Sequence, residues 1–295
     1  MAKRSVLVTG ASSGIGRETV LLLAAHGFQV FAGVRKASDG SALARAARAA
    51  LDADSSGTKH GTLIPVIIDV TRPASIAAAF RKISKDADPD ASFSLVNNAG
   101  IAVAAPLELL ALDDLRRQFE VNVFGQVAVT QAFLPLIRKR TGRIVFMGSL
   151  FGRISVPLVA PYSAAKFAME AVADAFAIEL HKWGIRVSLL EPGNIDTPIW
   201  EKFLAKGMEA RTPDARIRKA LYSDAEASMH RLAAFFSKTG LTPQRVARVV
   251  HRALTARRPR TRYLVGRDAQ VLTRLTALGS DRLRYWVTRR ILSAR

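Results

Sequence analysis

A chain of 295 residues with 49% hydrophobic but only 7% aromatic side chains is long enough for one large α/β domain with a core of Ala, Val, Leu and Ile, which excludes a disordered protein. It has no cysteine, which removes disulfides, thiolate metal sites and cysteine nucleophiles together, and no run approaches the ~20 uninterrupted apolar residues of a membrane span. The formal charge of +20 is concentrated in the segment from Arg245 to Arg295, which holds fourteen arginines, no lysine and two aspartates; such a stretch either attracts nucleic acid, anionic lipid or acidic partners or is an ordinary solvated surface.

In chain order, Met1-Ala2-Lys3-Arg4 leads straight into the apolar run Ser5–Val8, too short for a signal-peptide core and closed by a glycine turn, so a cytoplasmic protein is expected. Further β-branched, apolar runs follow at Val30–Val34, Leu63–Ile68, Phe93–Val96, Arg143–Met147 and Arg186–Leu190. Helical stretches between them start at Gly14, near Ser41, after Pro73, around Pro106 to Leu115, at Asn122 and near Ala160. Thr71-Arg72-Pro73 places a capping hydroxyl two residues before a proline suited to a first helical turn. This alternation predicts a Rossmann-type, doubly wound parallel sheet of about seven strands flanked by helices.

After Pro192 the rhythm weakens, and Thr197–Thr239 becomes amphipathic and charge-rich, where a substrate lid is expected. A helix and strand, Pro243–Ala256 and Thr261–Val265, then close a catalytic domain spanning residues 1–266. Residues 267–295 read as a basic, amphipathic helical extension. Its stripe of Leu272, Leu275, Leu278, Leu283, Trp286, Val287, Ile291 and Leu292 among arginines fits docking on the domain or a dimer contact, with peripheral membrane contact as the minor alternative.

The run Thr9-Gly10-Ala11-Ser12-Ser13-Gly14-Ile15-Gly16 stands between the first strand and a helix. Gly10 turns the chain, Gly14 lets backbone approach a pyrophosphate, and Gly16 lets helix and strand pack closely, with the helix N-terminus aimed at phosphate. Gly10, Ser12, Ser13, Gly14, Ile15 and Gly16 are therefore candidate dinucleotide contacts. The second strand ends Val34-Arg35-Lys36 without the acid that would hold free ribose hydroxyls. Two cations suit a 2′-phosphate, so Arg35 and Lys36 favour NADP(H), with NAD(H) the alternative. Asp69 and Val70 close the third strand as candidate adenine contacts, or Asp69 caps the next helix.

Together with Asn97-Asn98-Ala99-Gly100, Asn122, Ser149, Tyr162-Ser163-Ala164-Ala165-Lys166 and Pro192-Gly193, these motifs resemble the ordered set of the short-chain dehydrogenases/reductases from about Lys3 to Ile199, and more loosely beyond. The strand end at Phe31–Lys36 and the long basic C-terminus resemble that family's retinol dehydrogenase and hydroxysteroid dehydrogenase branch. The chemistry read from the residues agrees. Tyr162 and Lys166 share a helix face, and a nearby ammonium favours phenolate in a phenol whose pKa is otherwise near ~10. Ser149 can hold a carbonyl oxygen and stabilise developing alkoxide charge.

The resemblance implies that Asn122 completes a proton relay through water and that Lys166 also holds the nicotinamide ribose. It further implies that Asn98 and Gly100 border the cofactor, although an architectural role for Asn98 fits equally. By the same resemblance Pro192-Gly193-Asn194-Ile195-Asp196-Thr197 contacts the carboxamide through the Ile195 backbone and the Thr197 hydroxyl. The helices Asn122–Arg140 and Ala160–Trp183 would pair in a homodimer or homotetramer.

Phe151, Val156, Leu158, Val159, Ile199, Trp200 and Phe203, with little charge near Ser149 and Tyr162, suit a small lipophilic alcohol or carbonyl substrate, and the branch resemblance implies a steroid, a retinoid or a similar compound. A rival reading is a regulator that senses NADP(H) and holds nucleic acid or a partner with its basic C-terminus, without turnover. The intact Ser149, Tyr162 and Lys166 set disfavours it.

Overall fold

The computed structural model describes residues 3–52, 60–197 and 215–278, with Ser280, Arg282, Tyr285 and Trp286 beyond them. One seven-stranded sheet is formed by β1 (Arg4–Val8), β2 (Gln29–Val34), β3 (Thr62–Ile67), β4 (Ser92–Asn97), β5 (Arg143–Met147), β6 (Arg186–Pro192) and β7 (Arg262–Val265), in the order β3-β2-β1-β4-β5-β6-β7. Every neighbouring pair is parallel. The central strands are apolar on consecutive residues because helices cover both of their faces. Phe93 and Leu95 face one core and Val96 the other.

The helices are α1 (Gly14–Ala25), α2 (Ala37–Asp52), α3 (Pro73–Asp86), α4 (Leu112–Phe119), α5 (Gly125–Lys139), α6 (Ala160–Glu179), α7 (Ala215–Thr239), α8 (Pro243–Thr255) and α9 (Arg267–Leu278). One face of the sheet packs α3, α5 and α6 around Phe93, Phe133 and Ile137; the other packs α1 and α8 around Val6, Leu23 and Val250. The strand order reverses between β1 and β4. In such sheets this switch point opens a crevice at the carboxyl ends of the strands, which is where the sequence puts its candidate residues.

Three local expectations are corrected. Helix α2 starts at Ala37 rather than near Ser41, so the polar Ser38-Asp39-Gly40 lies in its first turn instead of a loop. Arg72, extended and without a side-chain bond, precedes α3, while the Thr71 hydroxyl donates to Asp69 Oδ1 at 2.7 Å. Thr71 thus closes a turn and caps nothing. No helix begins at Asn122: α4 and α5 run into each other through a π turn, Glu120–Phe124, that contains it. Of the segment expected as a helical lid, Ala215–Thr239 is a 25-residue helix, α7; Ile199, Trp200 and Phe203 lie outside the described residues. Among the described residues no helix is long and apolar enough to cross a membrane.

Candidate active site

The glycine run forms the turn expected of it. Gly10 and Gly14 have φ of 66° and 54°, a region that side chains with a Cβ avoid. A Cβ on Gly16 would overlap the Gly10 carbonyl oxygen, so close packing of α1 against the turn requires glycine there. Asn98 donates its amide to the carbonyls of Thr9 (3.0 Å) and Gly10 (3.1 Å), and the Thr9 hydroxyl accepts from the amides of Asn98 and Ala99, both at 3.0 Å. Asn98 is therefore architectural, bracing the turn that faces a cofactor. Ser13 precedes α1 without a side-chain cap, leaving the first-turn amides of a helix with buried Gly16 and half-buried Gly14 and Ile15 for an anion. These residues fit a dinucleotide pyrophosphate.

At the carboxyl end of β2, Arg35 and Lys36 are exposed. Burial works upward on the Asp69 carboxyl, but bonds from the Thr71 amide and hydroxyl and the charges of Arg35 and Arg72 leave it below the usual range. Asp69 is thus an anion pinned beside Arg35, and its own amide donates to Ser75 Oγ at 2.9 Å. Val70 is buried under Gly125, where a Cβ would approach Val70 Cγ2 to 2.8 Å. Gly100 is exposed beside Asn122.

Ser149 follows β5, Tyr162 and Lys166 lie on α6, and all three are buried. The Tyr162 hydroxyl is hydrogen-bonded to Ser149, whose Oγ also accepts from the Phe151 amide at 3.2 Å. Ser149 therefore caps a 3-10 turn, Leu150–Gly152, and faces the phenol at once. The Lys166 ammonium donates to the Met147 carbonyl at 2.6 Å and lies 5.4 Å from the centre of the Tyr162 ring.

Burial pushes the Tyr162 phenol up to about 12, against the pull of its bond with Ser149, and pushes Lys166 down to about 8. The phenol stays protonated because desolvation outweighs its neighbours. Asn122 is fully buried; its Oδ1 accepts from the Ile101 amide and its Nδ2 donates to the Ile101 carbonyl, each at 2.9 Å. Its side chain braces the segment after β4 from within a π turn, a register change frequent at functional sites.

Behind Ser149 the expectation of little charge fails. Arg153 makes a bidentate contact with Glu191, at 2.9 and 3.0 Å, and Glu191 is fully buried. Arg153 also reaches Glu170 at 3.1 Å; Arg262 reaches Glu170 at 3.0 Å, Asp174 at 2.7 Å and Glu191 at 3.5 Å. Burial and the Glu191 charge raise the Glu170 carboxyl despite the two guanidiniums. The network ties together the Ser149 turn, helix α6 one turn beyond Lys166, the end of β6 before Pro192-Gly193, and β7. Arg153 and Glu191 are 38 positions apart, and no sequence motif pointed to either.

The side of Tyr162 away from this network is apolar. Leu150, Phe151, Ile154, Val156, Leu158 and Val159 cluster with it, joined by Tyr222 and Ala225 of α7 and by Ala269 and Leu272 of α9. Helices α7 and α9 therefore pack on the same apolar cluster as the phenol. Ile195 forms a parallel bridge with Leu241 in which Asn194 and Asp196 make the hydrogen bonds, so the N–H and C=O of Ile195 point the other way. Thr197 is half-buried at the end of the described stretch. Gly193 has a reason the sequence did not disclose: a Cβ there would overlap the Asp268 carboxylate, which accepts from the Asn194 amide at 2.6 Å. Asp268 thus fastens α9 to the segment after Pro192.

Comparison with known proteins agrees with this geometry. Residues 4–207 match the family model described as short chain dehydrogenase. A 3-amino-tetrahydro-pyrrolizinone reductase from Xenorhabdus hominickii is 37% identical over 271 residues, 92% of this chain and 89% of the relative. Retinol dehydrogenase 5 from Homo sapiens is 35% identical over 277 residues, 90% of this chain and 82% of the relative. The crystal structure of a short chain dehydrogenase from Burkholderia cenocepacia J2315 in complex with NADP superposes with a TM-score of 0.69 at 25% identity, covering 99% of this chain and 98% of the other.

Arg153→Ala leaves Glu191 in the interior with only the more distant Arg262, and breaking a buried pair from one side costs about 3 kcal/mol or more. Chemical denaturation should show a loss of that size. A loss under about 0.5 kcal/mol, typical of a surface change, would show that the network does not hold the site together.

Proposed function

The chain belongs to the short-chain dehydrogenase/reductase family and stands with its retinol and hydroxysteroid dehydrogenase branch, and on that premise we propose that it moves hydride between NADP(H) and a lipophilic secondary alcohol or ketone, such as a steroid or retinoid. The observation that carries this reading is the Ser149–Tyr162 pair, backed by buried Lys166, opening onto a cleft lined by apolar side chains. Such a cleft offers a substrate area to bury but few groups with which to orient it, so the ketone oxygen is the atom that must be recognised.

The nicotinamide, when bound, supplies or accepts the hydride; orientation and proton movement fall to the protein. The Ser149 hydroxyl holds the ketone oxygen, and the Tyr162 hydroxyl, kept protonated by burial, delivers its proton to that oxygen as charge develops there. In the opposite direction Tyr162 accepts the proton, which requires the charge of Lys166 to offset desolvation of the phenolate. Lys166 also holds the nicotinamide ribose, and Asn122 supports a proton relay through water, as the family resemblance implies.

Gly10, Ser12, Ser13, Gly14, Ile15 and Gly16 would cradle the pyrophosphate, with Asp69 and Val70 at the adenine and Gly100, Pro192, Gly193, Ile195 and Thr197 around the nicotinamide. Arg35 and Lys36 would hold the 2′-phosphate, for which exposed cations at a strand end that carries no acid are suited. The acid nearest in sequence, Asp39, is in the first turn of α2 and is the feature that would favour NAD(H) instead.

A homodimer or homotetramer through α5 and α6 is part of the same proposal. Phe124 and Phe167 are about half exposed on or beside these helices and Ile178 is more so, which fits a face that another copy covers. The working location proposed is the cytoplasm.

Tyr162→Phe should lower turnover by about 10³-fold, the scale of a lost general acid, while NADPH titration by fluorescence shows binding nearly unchanged. Parallel loss of binding and turnover would remove the acid/base assignment. Arg35→Ala should weaken NADPH by about 10- to 100-fold, the worth of a bond to a charged group, and leave NADH unaffected. Equal losses for both cofactors would overturn the phosphate contact.

A further inference from the structure

Backbone that leaves a sheet must find partners for its amides and carbonyls elsewhere. For the segment after β4 those partners are side chains. Gln118, Asn122 and Gln126 stand four residues apart along α4, the π turn and α5, and all three are wholly buried. In an α-helix a four-residue step overshoots a full turn. The wider turn at Glu120–Phe124 takes up that overshoot, so the three amides stay in one row.

Gln118 Oε1 accepts from the Val103 amide at 2.8 Å, and its Nε2 donates to the Ile101 carbonyl at 3.0 Å. Asn122 takes both main-chain groups of Ile101, and Gln126 Nε2 donates to the Ala99 carbonyl at 3.2 Å. The residues held are alternate ones, Ala99, Ile101 and Val103, as along one edge of an extended strand. A row of side-chain amides thus stands where a neighbouring strand would.

The segment held in this way runs between two parts of the site. At its start the Ala99 amide donates to the Thr9 hydroxyl of the glycine turn. At its end the Ala105 amide donates to the Leu158 carbonyl at 3.0 Å, just before the start of α6 at Ala160. Ala102 and Ala104, between these anchors, belong to the apolar cluster around Tyr162.

We propose that Gln118 and Gln126 are positioning residues for hydride transfer: through the row they form with Asn122, they set the separation between the turn that cradles the cofactor and the chain that leads into Tyr162. The proposal rests on the reaction proposed above, in which nicotinamide, ketone and phenol must meet within a narrow range of geometry. Gln118 is the stronger member, since it makes two bonds and the Val103 amide depends on it. Gln126 makes one longer bond, and its Oε1 has no partner among the described residues.

The test is turnover of the full-length protein with NADPH and a lipophilic ketone, beside NADPH titration followed by the emission of the bound nicotinamide. Gln118→Met keeps the side chain's length and removes both bonds. Its kcat per folded protein should fall about 10²-fold, the scale of a ~1 Å misplacement. NADPH affinity should stay within about three-fold of the parent's, because Thr9 and Asn98 still hold the glycine turn. Gln126→Met should lose about ten-fold at most, the worth of one hydrogen bond. Gln118→Glu supplies a rescue. With its carboxyl protonated it donates to the Ile101 carbonyl and accepts from the Val103 amide as glutamine does, and ionised it has no proton to donate. Its kcat relative to the parent's at the same pH should therefore be highest in acid and fall as pH rises through the carboxyl's titration, which burial displaces upward.

A kcat of folded Gln118→Met within about three-fold of the parent's, the range of a neutral change, overturns the proposal and leaves the row a matter of stability alone. A Gln118→Glu ratio indifferent to pH overturns it too, as does a loss of NADPH affinity as large as the loss of kcat, which would assign the row to cofactor binding. If the parent turns over no ketone, the emission decides. A changed emission of Gln118→Met at saturating NADPH keeps the row as a positioning device and contradicts the reaction proposed above, whereas an unchanged emission overturns both.

Discussion

An ammonium group held inside an apolar protein must be given a partner, and for Lys166 the partner is the main-chain carbonyl that ends β5, 2.6 Å away. With only 4% of the residue exposed, the interaction is strong in both directions: the charge is costly to bury, which is why the group sits down near 8, and the bond is correspondingly hard to break. It locks helix α6 to the strand that carries Ser149. Because Tyr162 lies one turn before Lys166, the same bond fixes where the phenol stands and how it meets the serine hydroxyl. The geometry of the reacting groups is thus a consequence of where one cation can be accommodated.

Behind that bond lies a second layer of charge that extends the same logic. Arg153, Glu170, Glu191, Arg262 and Asp174 connect the Ser149 turn, α6, β6 and β7, so the four elements that shape the site cannot shift independently. From β7 the chain passes at once into α9, whose Asp268 grips the Asn194 amide and whose Ala269 and Leu272 reach the cleft. The helix that follows β7 therefore packs Ala269 and Leu272 against the cluster around Tyr162.

Much of this could be read in the sequence where the physics is local. Buried parallel strands must be continuously apolar, which is why the runs around Val6, Phe31, Phe93, Ile144 and Leu189 stood out. The glycine turn and the four-residue step from Tyr162 to Lys166 are likewise short-range facts. What stayed hidden depends on the topology. Arg153 finds Glu191 38 positions away and Asp268 finds Asn194 74 positions away, and no periodicity marks such pairs. The double role of Ser149 was half visible, as either a cap or a catalytic hydroxyl, and the structure gives it both contacts. Spacing shows the cation beside Tyr162 but not the desolvation that raises the phenol. Helix α2 was started late because Ser, Asp and Gly together signal a turn, although they fit a first helical turn equally well.

The central claim, that Tyr162 and Ser149 reduce a lipophilic ketone at an NADP(H)-dependent site, is tested most directly by following NADPH and NADH consumption over a panel of steroids, retinoids, aliphatic ketones and sugar-like carbonyls. The account predicts turnover confined to the lipophilic compounds and driven by NADPH. Tight NADPH binding with no turnover of any class, or turnover restricted to polar carbonyls, would contradict it.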